Sequence, residues 1–147
     1  MAIELKAGVK VADLDLSDLD FTDADLTDAV CEGCTLKDGH VQSAVLQGAR
    51  FKDCRLVRCR FTHADLREAV FEGCSFADDD GHVGTVFAFC RLEEARLRKC
   101  DLSFARLERS SLWGVEMEAC NLRGSAFVRA DFGRAFGHQR ILILKQD

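Results

Sequence analysis

Residues 24–56 read ADLTDAVCEGCTLKDGHVQSAVLQGARFKDCRL. An apolar residue falls at every fifth position: Leu26, Cys31, Leu36, Val41, Leu46, Phe51 and Leu56. Two positions before most of these centres sits a small residue, as at Ala24, Ala29, Cys34, Ala44, Ala49 and Cys54. Outward from this stretch the spacing reaches back to Leu16 and forward without a gap to Phe76. It resumes at Phe87 and runs on to Phe132. A period of five fits neither regular element. On a helix it walks the apolar residue around the axis, and on a flat strand it alternates faces. It makes sense only if the chain turns regularly, so that every fifth residue points at one central axis.

A second period closes the circuit. Cys34, Cys54 and Cys74 are twenty apart, as are Cys100 and Cys120, and Ala24, Ala44 and Ala64 form a similar set. Twenty residues therefore make one coil with four sides, like residues stack on like, and neighbouring coils pair through their backbones as parallel ladders.

The units ADLTD, ADLRE, CDLSF and ADFGR resemble the pentapeptide-repeat family, and the resemblance covers about residues 12–136. It implies a right-handed, four-sided parallel β-helix. About six coils at ~4.8 Å each would give a rod of roughly 29 Å. The expected organisation of 1–147 is a single domain, with 1–11 as an N-terminal cap and 137–147 as a C-terminal cap or dimer segment.

The register breaks between Phe76 and Phe87, eleven residues apart. Excising Asp79 to Gly84 as a projecting loop keeps Cys34, Cys54, Cys74, Cys100 and Cys120 on one side. It also aligns the outward residues Glu32, Lys52, Glu72, Arg98 and Glu118 with alternating charge, which suits neighbours one coil apart. A one-residue insertion would instead stack Ala95 on Cys74.

The spacing Cys31–Cys34 raises the question of zinc or redox chemistry. The repeat answers it, because the eight cysteines occupy two recurring places, Cys31 at a centre and seven at the small inward position. Zinc needs four ligands converging within ~2.3 Å of one point, which stacked residues do not supply. No metal, cofactor or catalytic residue is expected. The serines have no His and acidic partners in a recognisable order, and an axis filled with Leu, Phe, Ala and Cys leaves no interior cavity for a substrate.

Net charge is −5. Residues 1–40 carry ten acidic and three basic side chains, and the remainder fifteen and seventeen. The acid concentrates in Asp13, Asp15, Asp18, Asp20, Asp23, Asp25 and Asp28. There is no uniform basic face, so direct nucleic-acid binding is not expected. No apolar run reaches the length of a membrane span, and MAIELKAGVK lacks a signal-peptide pattern, so we expect a cytoplasmic protein with reduced thiols.

Two functions remain open from sequence. The first is a non-catalytic scaffold binding an unknown protein. Its candidate surface is the acidic set above, Asp79 and Asp80 in the loop, and the outward apolar residues Phe89, Phe104 and Trp113, with Val86 and Val128 nearby. The second comes from the resemblance: some pentapeptide-repeat proteins mimic duplex DNA, bind DNA gyrase and relieve quinolone inhibition, often as dimers through their C-terminal ends. The arginines of the later coils, among them Arg50, Arg58, Arg60, Arg106, Arg109 and Arg129, depart from that pattern and rank the scaffold first.

Overall fold

The computed structural model describes residues 4–78 and 82–133 and the backbone of 143–144. Among these there is no helix, and every strand is two or three residues long and pairs in parallel. Side one stacks Lys10–Ala12, Val30–Glu32, Arg50–Lys52, Val70–Glu72, Arg96–Arg98 and Glu116–Glu118. Side two holds Thr35–Lys37 against Arg55–Val57 and continues through single bridges to Asn121. Side three stacks His40–Gln42, Arg60–Thr62, Val86–Ala88, Arg106–Glu108 and Ala126–Val128. Side four is a line of single bridges from Asp25 to Asp131. The result is a four-sided β-solenoid of about six turns, as the twenty-residue period requires.

The centres are buried from Leu16 to Met117, with Phe71, Phe76, Leu66 and Leu102 sealed completely. Phenylalanines fill the middle of the axis. Phe51 stacks on Phe71 at 4.9 Å and Phe61 on Phe87 at 5.0 Å, and Phe76 meets Phe71 and Phe87 edge-on at 5.3 and 5.6 Å.

The axis is not filled evenly. Towards the N-terminal end lies a cavity of about 40 Å³, with apolar walls that include Leu16, Leu26, Cys31 and Leu46. Cys31 is the smallest of the apolar centres that line it, among leucines and Phe21, Phe51 and Phe61, so the axis is underfilled at that point. Cys31→Leu should therefore stabilise the protein by about 1 kcal/mol, from added buried carbon at ~0.8 kcal/mol per methylene. The check is a thermal melt; a lower midpoint would mean that the cavity cannot take the extra carbon.

The break in register is resolved by stacking. Leu97 pairs with Phe71 and Asp101 with Ser75, which brings Cys100 next to Cys74. Phe87 pairs with Phe61, so six residues are inserted between Asp78 and Thr85, and the solenoid resumes in phase. The base of the insertion is pinned: Ala77 bridges Gly84 in antiparallel fashion, and Gly84 presses on the Phe104 backbone with no room for a Cβ. Asp79 and Asp80 lie outside the described residues.

At the N-terminal end, Leu5 and Val9 pack against the core, and Lys10–Ala12 forms the first rung of side one. At the other end, the backbone of Ile143–Leu144 pairs with Glu116–Met117 as a seventh rung. The rest of the C-terminal cap or dimer segment lies outside the described residues.

Corners of the coil and the candidate interaction surface

Each side ends in a corner, and most corner residues adopt positive φ, from Asp13 at 55° to Arg129 at 52°. Such a conformation is easy for glycine and tolerable for aspartate, and it is unfavourable for bulky side chains. This accounts for much of the acidic cluster. Asp13, Asp23 and Asp28 are corner residues. Asp13 and Asp28 lie over Gly33 and Gly48 one circuit later, both at positive φ, whose missing Cβ makes the room.

Asp15, Asp20 and Asp25 have a second architectural role. Each carboxylate accepts the backbone N–H two residues on, from Ser17, Thr22 and Thr27, at 3.0, 2.9 and 3.1 Å. The side-chain contact of Ser17 holds Asp15 below the usual carboxylate range, the Thr22 backbone does so for Asp20, and the Thr27 side chain for Asp25. The same device recurs at Asp65, Asp101, Asn121 and Asp131. Asp18 shows neither feature. All seven aspartates belong to the first circuit, so the acid forms a ring around one end of the rod rather than a stripe along it.

The cysteines also gain an explanation beyond size. Where the chain turns tightly, the centre carbonyl accepts the N–H of the small residue three positions on, as from Ala29 to Leu26 and Ala49 to Leu46 at 3.0 Å. Where the corner is flat, a small polar side chain one circuit later donates to that carbonyl. Cys54, Cys74 and Cys100 donate Sγ–H to Cys31, Phe51 and Phe71 at 3.3, 3.3 and 3.4 Å. Ser110 and Thr85 do the same with hydroxyls, to Phe87 and Leu56. Thiol and hydroxyl are thus interchangeable donors at a place that must be small and must cap a buried carbonyl. All eight cysteines are free and buried, and among the described residues no group of His, Cys, Asp or Glu is arranged to hold a metal.

Several charges along the rod are paired. Arg58 grips Asp38 across one circuit at 2.7 and 3.2 Å. Arg67 pairs with Asp65, Arg96 with Glu116 and Arg106 with Glu108. Glu32, Lys52, Glu72, Arg98 and Glu118 stack in register on side one, so charge alternates along the rod there.

The apolar candidates separate. Phe104 holds the corner between sides two and three, and Phe89, 48% exposed, the corner between three and four. Val86 and Val128 lie on side three between these two corners, on different rungs. Trp113 belongs to side four, where its indole covers Gly133, and does not join that group. Sequence reasoning missed three members of the neighbourhood: Val83, 52% exposed, His63, stacked on Phe89 at 5.0 Å, and Arg109, whose guanidinium lies 5.9 Å from the Phe89 ring centre. A usable signal was present, since His63, Phe89, Arg109 and Arg129 occupy equivalent corners one circuit apart.

The sequence profile described as pentapeptide repeats matches residues 8–40, 15–53, 44–78, 83–114 and 100–136. Among solved structures, the chain is similar to the pentapeptide repeat protein Rfr23 from the cyanobacterium Cyanothece 51142, at 18% identity over 88% of this chain and 87% of that one, with a TM-score of 0.44. It is similar also to HetL, a pentapeptide repeat protein involved in heterocyst differentiation regulation from Nostoc sp. strain PCC 7120, at 15% identity over 85% of each chain and a TM-score of 0.38. A third is full-length QnrB1, a plasmid-mediated fluoroquinolone resistance protein, at 20% identity over 86% of this chain and 71% of that one, with a TM-score of 0.42. No curated protein matches the chain in sequence.

Proposed function

The chain belongs to the pentapeptide-repeat family, and from that premise we propose that it is a non-catalytic interaction module that binds a protein partner through the sides of its rod. One observation carries this reading. Among the described residues the inward positions are spent on packing, and the cavity towards the N-terminal end is small and walled by apolar groups. Catalysis needs polar groups converging on a space that admits a substrate. What changes from circuit to circuit is the outward surface, which is what a partner reads. Eight free thiols suit a reducing cytoplasm.

The gyrase-directed alternative needs phosphate-like charge along the length of the rod. Here the acid rings the first circuit, and alternating or paired charges follow it. The two readings are tested together by adding purified protein to a gyrase supercoiling reaction. The interaction module leaves supercoiling untouched. Inhibition at stoichiometric protein, abolished by changing Asp18, Asp20, Asp23 and Asp25 to Asn, would establish the mimic instead. Chemical crosslinking in a lysate of the source cells should in turn recover a defined complex with folded protein and none with a core-disrupted variant.

A further inference from the structure

We infer that the last four rungs of side three, from Arg60–Thr62 to Ala126–Val128 and between the Phe104 and Phe89 corners, are a docking strip for an acidic protein segment bearing aliphatic or aromatic side chains. This rests on the interaction reading just given and supplies its location and partner class.

Two phenylalanines placed at left-handed corners are the starting point. Phe89 and Phe104 have φ of 55° and 59°, where most other corners use Asp, Gly or a charged residue. A bulky side chain is unfavourable there, and Phe89 is half exposed to water as well. Packing of the axis requires neither, because both point away from it; the Phe104 ring covers Gly124, and Phe89 is the one left exposed. Backbone strain combined with exposed apolar surface marks a place held for something outside the fold. The ground between the two corners fits: Val86 and Ala126 stand in register above and below Arg106, and Val128 is 37% exposed.

Charge selects the partner. Arg60 stands one rung from Val86 on this side, and Arg109 and Arg129 hold its far corner. Among the described residues none of these three faces a carboxylate at ion-pair distance, whereas Arg106 is matched by Glu108. The strip therefore carries a net positive charge on a protein whose total is −5. A single-stranded nucleic acid would also value arginine and phenylalanine, but its bases need an open ring face. The faces of Phe89 are taken, by His63 on one side and Arg109 on the other. What remains is a ring edge beside valines, which suits a peptide side chain. From Arg60 to Ala126 the strip spans three rises, about 14 Å at ~4.8 Å each, so an extended peptide of roughly four to five residues covers it.

The test uses the full-length protein and fluorescence anisotropy with three probes: a labelled peptide alternating Glu with Leu and Phe, its counterpart with Lys in place of Glu, and a short oligothymidine strand. The Glu peptide should bind saturably, at least about tenfold more tightly than the Lys peptide. Phe89→Asn and Arg109→Gln should each weaken it by roughly fivefold or more. Asn is chosen because it accepts the left-handed corner, and an unchanged melting temperature confirms the fold. Equal binding of both peptides, no saturable binding of the Glu peptide, indifference to the two substitutions, or tighter binding of oligothymidine would each overturn the proposal. A crosslinked partner that still binds the doubly substituted protein would leave the interaction reading standing and remove this strip from it.

Discussion

Raising the pH through about 10 is expected to unfold this protein cooperatively, with buried thiols as the cause. Burial pushes Cys31 up to about 12, and Cys59 and Cys90 to about 11. The stacked thiol of Cys100 raises Cys74, and that of Cys120 raises Cys100, each to about 12. Cys54 is driven higher still, first by Cys74 and then by burial. In the unfolded chain these thiols return to an ordinary value of 9.0. The folded state keeps protons that the unfolded state releases. Stability is therefore intact below pH 9 and is lost as the pH rises from there towards the folded values. One unit above the ordinary value, each such thiol costs about 1.4 kcal/mol. Summed over these thiols the loss reaches several kcal/mol, a large share of the stability of a typical domain. Burial raises Cys34 as well, whereas Cys120, held down to about 7 by the Cys100 thiol, contributes with the opposite sign. The chain has no tyrosine, so ultraviolet thiolate absorbance can be followed through the same transition as the circular dichroism. The two signals should coincide. Cys74→Ser and Cys100→Ser keep a donor to the buried carbonyl, as Ser110 does naturally, and should move the midpoint to higher pH. Thiols that ionise near 9 while the dichroism stays native would refute the account.

At neutral pH the largest loss is expected from Phe76→Ala. Phe76 is fully buried and touches the rings of Phe71 and Phe87, which in turn stack on Phe51 and Phe61. Removing its ring should cost about 3–5 kcal/mol and lower the melting temperature by about 10 °C or more. The form of the transition matters as much as its position. Circuits contact only their neighbours, so a break in the middle of the axis uncouples two short rods. Urea unfolding of Phe76→Ala should show a reduced slope or two phases. A single steep transition with an unchanged midpoint would mean that the aromatic cluster is not what joins the halves.

The fold was legible because the period is geometric. Every fifth residue had to point at an axis, and the recurrence of Cys34, Cys54 and Cys74 fixed the circuit at twenty. Stacking of the cysteines even located the six inserted residues. Two things were hidden. The role of the small position depends on whether the preceding corner is tight or flat, and that follows from backbone hydrogen bonding rather than from side-chain volume. Cys74 and Ala69 therefore looked equivalent, although only the thiol donates to a carbonyl. Likewise the seven early aspartates looked like one functional cluster. Their separation into corner residues and turn-closing residues needs φ values and contacts. The apolar candidates suffered from the same limit: Phe89, Phe104 and Trp113 are all outward by register, but which side each one flanks depends on the circuit as built.

The insertion after Asp78 has a meaning for anyone who would build on this rod. Six residues leave and return at a corner, and the rungs above and below stay in phase, with Phe61 on Phe87 and Phe71 on Leu97. A corner is where the backbone is already turning, so an excursion there costs little more than closing a small loop. Each corner is thus a socket with a known height, set by the circuit number, and a known bearing, set by which of four edges it occupies. Short peptides grafted into chosen sockets would be displayed at spacings read directly from the sequence, in multiples of one rise along an edge and a quarter-turn between edges.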